Sequence, residues 1–201
     1  MVPLTSGFLS ELFSDYRRDF PAIDLKVEEA SSTFDASAIL SGRLDIAFML
    51  GRPEIVGCTT KLLWSEDIYL VVPEGHLTAG LEAVALELIR QENFILTFDA
   101  VGAEAEAFLV RKLSAPGFRP SITFQGVGRE NLFSMVRLGF GITLMTASPL
   151  EMSYPGLRFV RLATEECSVC SSMIWRDANT NPVLKVLIDM SLKYANRANS
   201  R

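Results

Sequence analysis

The residues of this sequence whose types and spacing could do chemistry are few. They are the pair Cys167 and Cys170 in CSVC, the single His76 in PEGHLT, and the glycines Gly126 and Gly128 in QGVGRE. C-x-x-C holds a metal only when further ligands complete a tetrahedral set, and the one remaining cysteine is Cys58. CSVC also opens an apparent strand, CSVCSSMIW, in which positions three apart point to opposite faces. His76 reads as part of a surface turn, and no Ser-His-Asp set can be assembled around it. GVG is no phosphate loop, because G-x-x-x-x-G-K-[ST] does not occur. The pattern therefore predicts no catalytic residue, no metal and no cofactor: a binding protein rather than an enzyme.

What chemistry remains belongs to the backbone at helix starts. Four strand-to-helix joints stand out: VPLTSG, SST at 31–33, TFDAVG before a helix at 103, and QGVGRE before a helix at 130. A helix start leaves N–H groups free and carries the positive end of the dipole, so a carboxylate is its natural guest. Gly102, Gly126 and Gly128 would let main chain approach such a guest closely. Each position has a plainer reading as well. Ser32 and Thr33 serve equally as N-caps, and Asp99 as the cap of its own helix, where it would repel an anion. Gly126 and Gly128 fit a simple turn, and Phe98 a core position.

The elements that must hold these joints follow from periodicity. GFLSELFSDYRRDF reads as a helix over 8–20, and Ile23, Leu25 and Val27 alternate as a strand. A short helix ended by Gly42 and a buried strand from Leu44 to Leu50 come next, then two strands, TTKLLW and DIYLVVP. The second half predicts a helix over 82–90, strand NFILTF, a helix over 103–113, strand SITFQG, a helix over 130–138 and a strand over 141–146. GLRFVRLA and CSVCSSMIW complete the strands, and an amphipathic helix with Pro182 in its first turn closes the chain. In SMVRLGFGITLMTAS, Gly139 and Gly141 turn helix directly into strand with no polar loop. Such a helix lies flat on a sheet, and its other end, just after FQGVG, faces off the sheet edge.

Helices alternating with strands are the grammar of an α/β fold with a helix-covered parallel sheet. Ligands of such sheets collect outside the carboxyl ends of the strands. The order of elements predicts two Rossmann-like lobes joined by two crossovers, near Val72–Glu74 and Glu165–Ser171. Lobe I is then 1–73 with 171–201, lobe II is 74–170, and a hinged cleft between them is the expected ligand site.

Composition sets limits on the rest. At 201 residues the chain suits one domain or two half-size lobes, and 49% hydrophobic with 21% charged residues is globular. A net charge of −5 with scattered basic residues argues against specific DNA binding by this chain itself. Nothing approaches a membrane span or a signal peptide, and an odd cysteine count fits a reducing compartment, so a cytoplasmic location is expected.

In this order, the motifs FLSELFSDYRRDFP, EEASSTFDASAILSGRLDIAF, LVVPEGHLTAG, NFILTF, SMVRLGFGITLMTAS and MIWRDANTNPVLKVLIDMSL resemble the effector-binding domain of LysR-type transcriptional regulators. SGRLDIAF and VRLGFGI are the most specific pieces. The resemblance implies a fold like type 2 periplasmic binding proteins, with a small organic acid effector held between the lobes. It also implies a homodimer or tetramer that contacts DNA through an N-terminal winged helix-turn-helix, with RNA polymerase as a further partner and no membrane. That helix-turn-helix is not in this sequence, so a regulatory fragment is expected.

Family position raises Ser32 and the segment Pro3, Leu4 and Thr5 as ligand contacts. The full expected set is Pro3, Leu4, Thr5, Ser32, Thr33, Phe98, Val101, Gly102, Gly126 and Gly128. Positions matching Met1, Pro3 and Leu4 are often polar in the family, so apolar residues there suggest a greasier effector. For the dimer, the opening helix and the helix at 130 are expected to meet across a two-fold axis, with Phe8, Phe13, Leu132 and Phe133 exposed; the plainer reading makes all four core. The competing functions are a solute-binding protein delivering a small anion to a transporter, and a chain that dimerises without a ligand.

Overall fold

The computed structural model describes residues 7–28, 36–146, 153–164 and 168–198. They form two compact units, one of residues up to Ser65 and from Cys170, the other of Glu66–Val169. The sequence-derived boundary after Pro73 lies further along the chain. Leu70, Val71 and Val72 are fully buried in the cores of the second unit, which draws that stretch of strand into it.

In the first unit, helix α1 (Gly7–Asp19) buries Leu9, Leu12 and Tyr16, a stripe at helical spacing. It packs on the final helix α5 (Pro182–Ala198), where the Tyr16 hydroxyl donates to the Val183 carbonyl at 3.4 Å. The Asn181 side chain accepts the Val183 N–H at 3.0 Å and caps α5, with Pro182 at its first position as expected. Phe8 stacks on Trp64 at 4.2 Å. Helix α2 (Ala36–Leu40) is short, and strand β1 (Ala47–Leu50) pairs antiparallel with β8 (Ser168–Arg176), Ala47 facing Ile174.

In the second unit the long strand β2 (Cys58–Pro73) pairs antiparallel with β6 (Thr143–Thr146) and β7 (Leu157–Leu162), and β7 pairs parallel with β3 (Ala83–Val84). Strands β4 (Asn93–Thr97) and β5 (Ser121–Gln125) are parallel, and a parallel bridge from Phe94 to Ile142 ties them to the start of β6. Phe94 and Leu96 meet Ala105, Phe108 and Leu109 of helix α3 (Ala100–Leu113). Ile95 meets Leu132, Phe133 and Val136 of helix α4 (Arg129–Arg137). The two helices thus cover opposite faces, as strand alternation requires.

The turn after α4 is a Schellman motif: Gly139 N–H bonds to Val136 carbonyl at 2.9 Å and Phe140 N–H to Met135 carbonyl at 3.1 Å. Gly139 supplies the left-handed φ of +82°. Gly141 answers a different need, since a Cβ there would stand 2.5 Å from the Asn93 carbonyl oxygen.

Several expectations are corrected. TTKLLW and DIYLVVP form one strand, because Ser65, Glu66 and Asp67 continue the extended backbone without a breaker. The helix expected over 82–90 is β3 followed by a 3₁₀ turn, Leu86–Ile89, since Ala83 and Val84 are held by β7. Among the described residues, no ladder holds the strand expected at Ile23–Val27. The six-stranded sheet is mixed rather than parallel, and the β4–β5 sheet is parallel as expected. Leu132 and Phe133, expected on an exposed helix face, are buried at 1% and 2% exposure in the core under α4.

Candidate functional site

The parallel pair β4–β5 ends level, its last register pair being Thr97 and Gln125. Within a few residues the chain enters α3 on one side and α4 on the other, so both helix N-termini open at the same strand edge. This is where an α/β sheet binds its ligands.

The two helix starts differ chemically. At α3, Asp99 is the N-cap: its Oδ1 accepts the Gly102 N–H at 3.0 Å and the Thr97 hydroxyl at 2.7 Å. Gly102 is required by packing, since a Cβ would lie 1.8 Å from the Thr97 carbonyl oxygen. The first turn of α3 rests directly on the end of β4, and its amides already face a carboxylate. At α4, Gly128 occupies the N-cap with φ −77° and ψ 168°, and among the described residues no side chain caps the helix. Neither Gly126 nor Gly128 has a positive φ, and a Cβ at either would meet nothing within 4 Å. The fold does not need glycine at these two positions; what their absent side chains leave is open access to main chain.

Around α4, Arg129 Nε lies 3.4 Å from Glu130 Oε1. Tyr154 sits beside them, packed edge-on against Phe133 at 4.8 Å. Burial, first of all, pushes the Tyr154 hydroxyl pKa up; Arg129 pulls it down, and Glu130 adds to the rise through charge and a hydrogen bond. Sequence reasoning missed Arg129, Glu130 and Tyr154. The only signal for the first two was a charged pair directly after GVG in a helical first turn.

Phe98 is 59% exposed and stacks on Phe124 at 5.2 Å, so it is not core. Val101 packs against the cluster of Ile95, Leu132 and Phe133. The structure thus brings Phe98, Val101, Gly102, Gly126 and Gly128 to one strand edge. Pro3, Leu4, Thr5, Ser32 and Thr33 lie outside the described residues.

His76 serves the turn after β2: its Nδ1 lies 2.9 Å from the Thr78 hydroxyl and its Nε2 3.4 Å from Glu92 Oε1. Cys58 and Cys170 are free and half-buried, and burial, more than the nearby Asp177, raises the Cys58 thiol pKa against the opposing pull of Arg176. Cys167 lies outside the described residues. Among the described residues no His, Cys, Asp and Glu group is arranged to hold a metal ion, and no helix is long and apolar enough to cross a membrane.

The family described as the LysR substrate binding domain matches residues 1–196. The chain belongs to that family. It is therefore a domain of transcription regulators and not an enzyme. Among curated relatives, the HTH-type transcriptional regulator AlsR of Bacillus subtilis (strain 168) is 21% identical over 187 residues, 93% of this chain and 62% of that protein. The dual regulator GltC of the same organism is 25% identical over 158 residues, 76% of this chain and 50% of that protein. This LysR domain accordingly spans between half and two thirds of these relatives. The effector-binding domain of a BenM variant superposes with a TM-score of 0.83 at 18% identity, covering 98% of this chain and 92% of that one. The BenM domain with its effector benzoate gives 0.81 at 18% identity, covering 98% and 90%. Full-length CbnR complexed with its target DNA gives 0.79 at 18% identity, covering 96% and 68%. The fold is that of LysR effector-binding domains, which are similar to type 2 periplasmic binding proteins, as the sequence motifs implied.

Proposed function

We propose that this domain senses a small organic acid for a LysR-type transcription regulator, binding the carboxylate at the open start of α4. The observation that carries the reading is the uncapped α4 N-terminus beside Gly126 and Gly128, level with the capped start of α3. An anion gains from free N–H groups and the positive dipole end at α4, whereas Asp99 opposes it at α3. Phe98 and Val101 supply apolar surface for the body of the acid, and the family resemblance implies Ser32, Thr33 and the Pro3–Thr5 segment as further contacts. That the BenM domain binds benzoate supports the chemical class. The full-length regulator, on this reading, is a cytoplasmic homodimer or tetramer that contacts DNA through an N-terminal winged helix-turn-helix, with RNA polymerase as a further partner. Family membership favours this over a transporter-linked solute-binding protein.

Calorimetric titration of the chain with a panel of small carboxylates, benzoate included, tests the proposal. Saturable one-to-one binding by at least one acid, and none by its amide, is the expected result. Equal binding of acid and amide would refute the anion site.

A further inference from the structure

Each of the two helix starts at the β4–β5 edge carries a carboxylate of its own. At α3 it serves the helix: Asp99 Oδ1 accepts the Gly102 N–H at 3.0 Å. At α4 it is Glu130, the acidic residue of the first turn. The Gly128 carbonyl accepts the Leu132 N–H at 3.0 Å, so the amides of Arg129, Glu130 and Asn131 precede the first helical acceptor. The positive dipole end draws a first-turn glutamate towards those amides, and a side chain of that length reaches back to them. The Glu130 side chain is 66% exposed, so packing does not fix where it points. Two neighbours hold it instead. Its Oε1 lies 3.4 Å from Arg129 Nε, and the Tyr154 hydroxyl donates a hydrogen bond to its carboxylate. Tyr154 is a firm anchor for that bond. Its ring packs edge-on against the buried Phe133 at 4.8 Å and beside Phe159 at 5.7 Å.

We infer that Tyr154 is a positioning residue: with Arg129 it holds the Glu130 carboxylate off the α4 amides and so keeps them open to an anion. Glu130 is then a built-in competitor of the effector, and the affinity of the site depends on which partner its carboxylate takes. This inference rests on the carboxylate site proposed above. The strengths of the contacts set the balance. A hydroxyl-to-carboxylate bond is charge-assisted and outweighs the pull of a helix dipole on an exposed side chain. The surface pair with Arg129 matches that pull at best. Glu130 therefore stays with Tyr154 while the hydroxyl is present, and turns to the helix start when it is removed. The two helix starts then differ in one respect: the carboxylate of α3 is seated on its amides, and that of α4 is held aside.

Four proteins test it: the chain, Tyr154→Phe, Glu130→Gln and the double variant, all of which keep the shapes of the side chains. The first readout needs no ligand. In ¹H–¹⁵N spectra, Tyr154→Phe moves the amide protons of Arg129, Glu130 and Asn131 downfield as a carboxylate acceptor arrives, and the same substitution leaves them in place when Glu130 is already Gln. The second readout is calorimetric titration of the four proteins with the carboxylate panel, benzoate included. Tyr154→Phe weakens binding about two- to fivefold, the size of a first-turn dipole interaction. Glu130→Gln binds at least as tightly as the parent, and in that background Tyr154→Phe leaves affinity unchanged. A purely structural Tyr154 gives the other result, an equal loss in both backgrounds. That outcome overturns the inference and leaves the carboxylate site standing, as do amides that stay in place in Tyr154→Phe. Absence of binding by every acid, in all four proteins, refutes the site itself and the inference with it.

Discussion

Gly128→Asp separates the two things a helix start can do. Gly128 already has the extended φ and ψ of an N-cap, and its missing Cβ faces open space, so aspartate fits without strain. Its carboxylate then accepts an α4 amide, as Asp99 does at α3. The gain over glycine is a few tenths of a kcal/mol from the cap and about 0.3–1 kcal/mol from the dipole. For a chain of this size that raises Tm by about 1–5 °C. The effector's carboxylate now meets a like charge at close range. Two charges 4 Å apart interact by about 1 kcal/mol in water and about 4 kcal/mol at an effective dielectric of 20. Affinity therefore falls about five- to several-hundred-fold. Calorimetric titration with the tightest acid of the panel, alongside melting curves, reads both numbers, and Gly128→Asn supplies a neutral cap as control. A raised Tm with unchanged affinity would refute the placement of the anion at α4.

Other substitutions probe the supports of the site. Gly102→Ala drives a methyl against the Thr97 carbonyl and destabilises the chain by about 2 kcal/mol or more; a Tm within a degree of the parent would contradict the packing role. Ser32→Ala is expected to lower affinity about ten- to hundred-fold with little change in Tm, by loss of a charge-assisted bond; a lowered Tm with unchanged affinity would make Ser32 a helix cap instead. Burial raises the pKa of Tyr16 and Tyr154 above the ordinary phenol value of about 10. Above that pH the unfolded chain loses these protons before the folded one, so their contribution to stability is full below about pH 10 and falls as pH rises through the folded values. Urea titrations across alkaline pH check this, and a Tyr16→Phe/Tyr154→Phe variant with an undiminished alkaline loss of stability would contradict it.

Local chemistry made much of this fold legible. The α4–Gly139–Gly141–β6 turn could be read because a helix stop and a close backbone approach are written in adjacent residues. The β4–α3 and β5–α4 joints were readable because apolar period switches there from two to 3.6. What failed depended on partners distant in sequence. Leu86 and Ile89 sit at helical spacing, yet Ala83 and Val84 are claimed by β7 far along the chain. Ile23–Val27 has an intact strand pattern, but among the described residues no strand pairs with it. Phe133 on a helical stripe reads the same whether its face is solvent or core; here Tyr154 and Phe159 cover it. At the site, Gly126 and Gly128 stood out in sequence, while Gly102 looked equivalent to them and turned out to be held by the Thr97 carbonyl. The grouping of Arg129 and Glu130 with Tyr154 exists only once the chain is folded.

The most direct measurement is a ¹H–¹⁵N correlation spectrum of the labelled chain, titrated with the carboxylate that binds best. The account predicts saturable shifts concentrated on the amides of Gly126, Val127, Gly128, Arg129 and Glu130, with Gly102 following more weakly because Asp99 already holds its N–H. Saturable binding that shifts the amides of α3 and leaves those of 126–130 in place would contradict it.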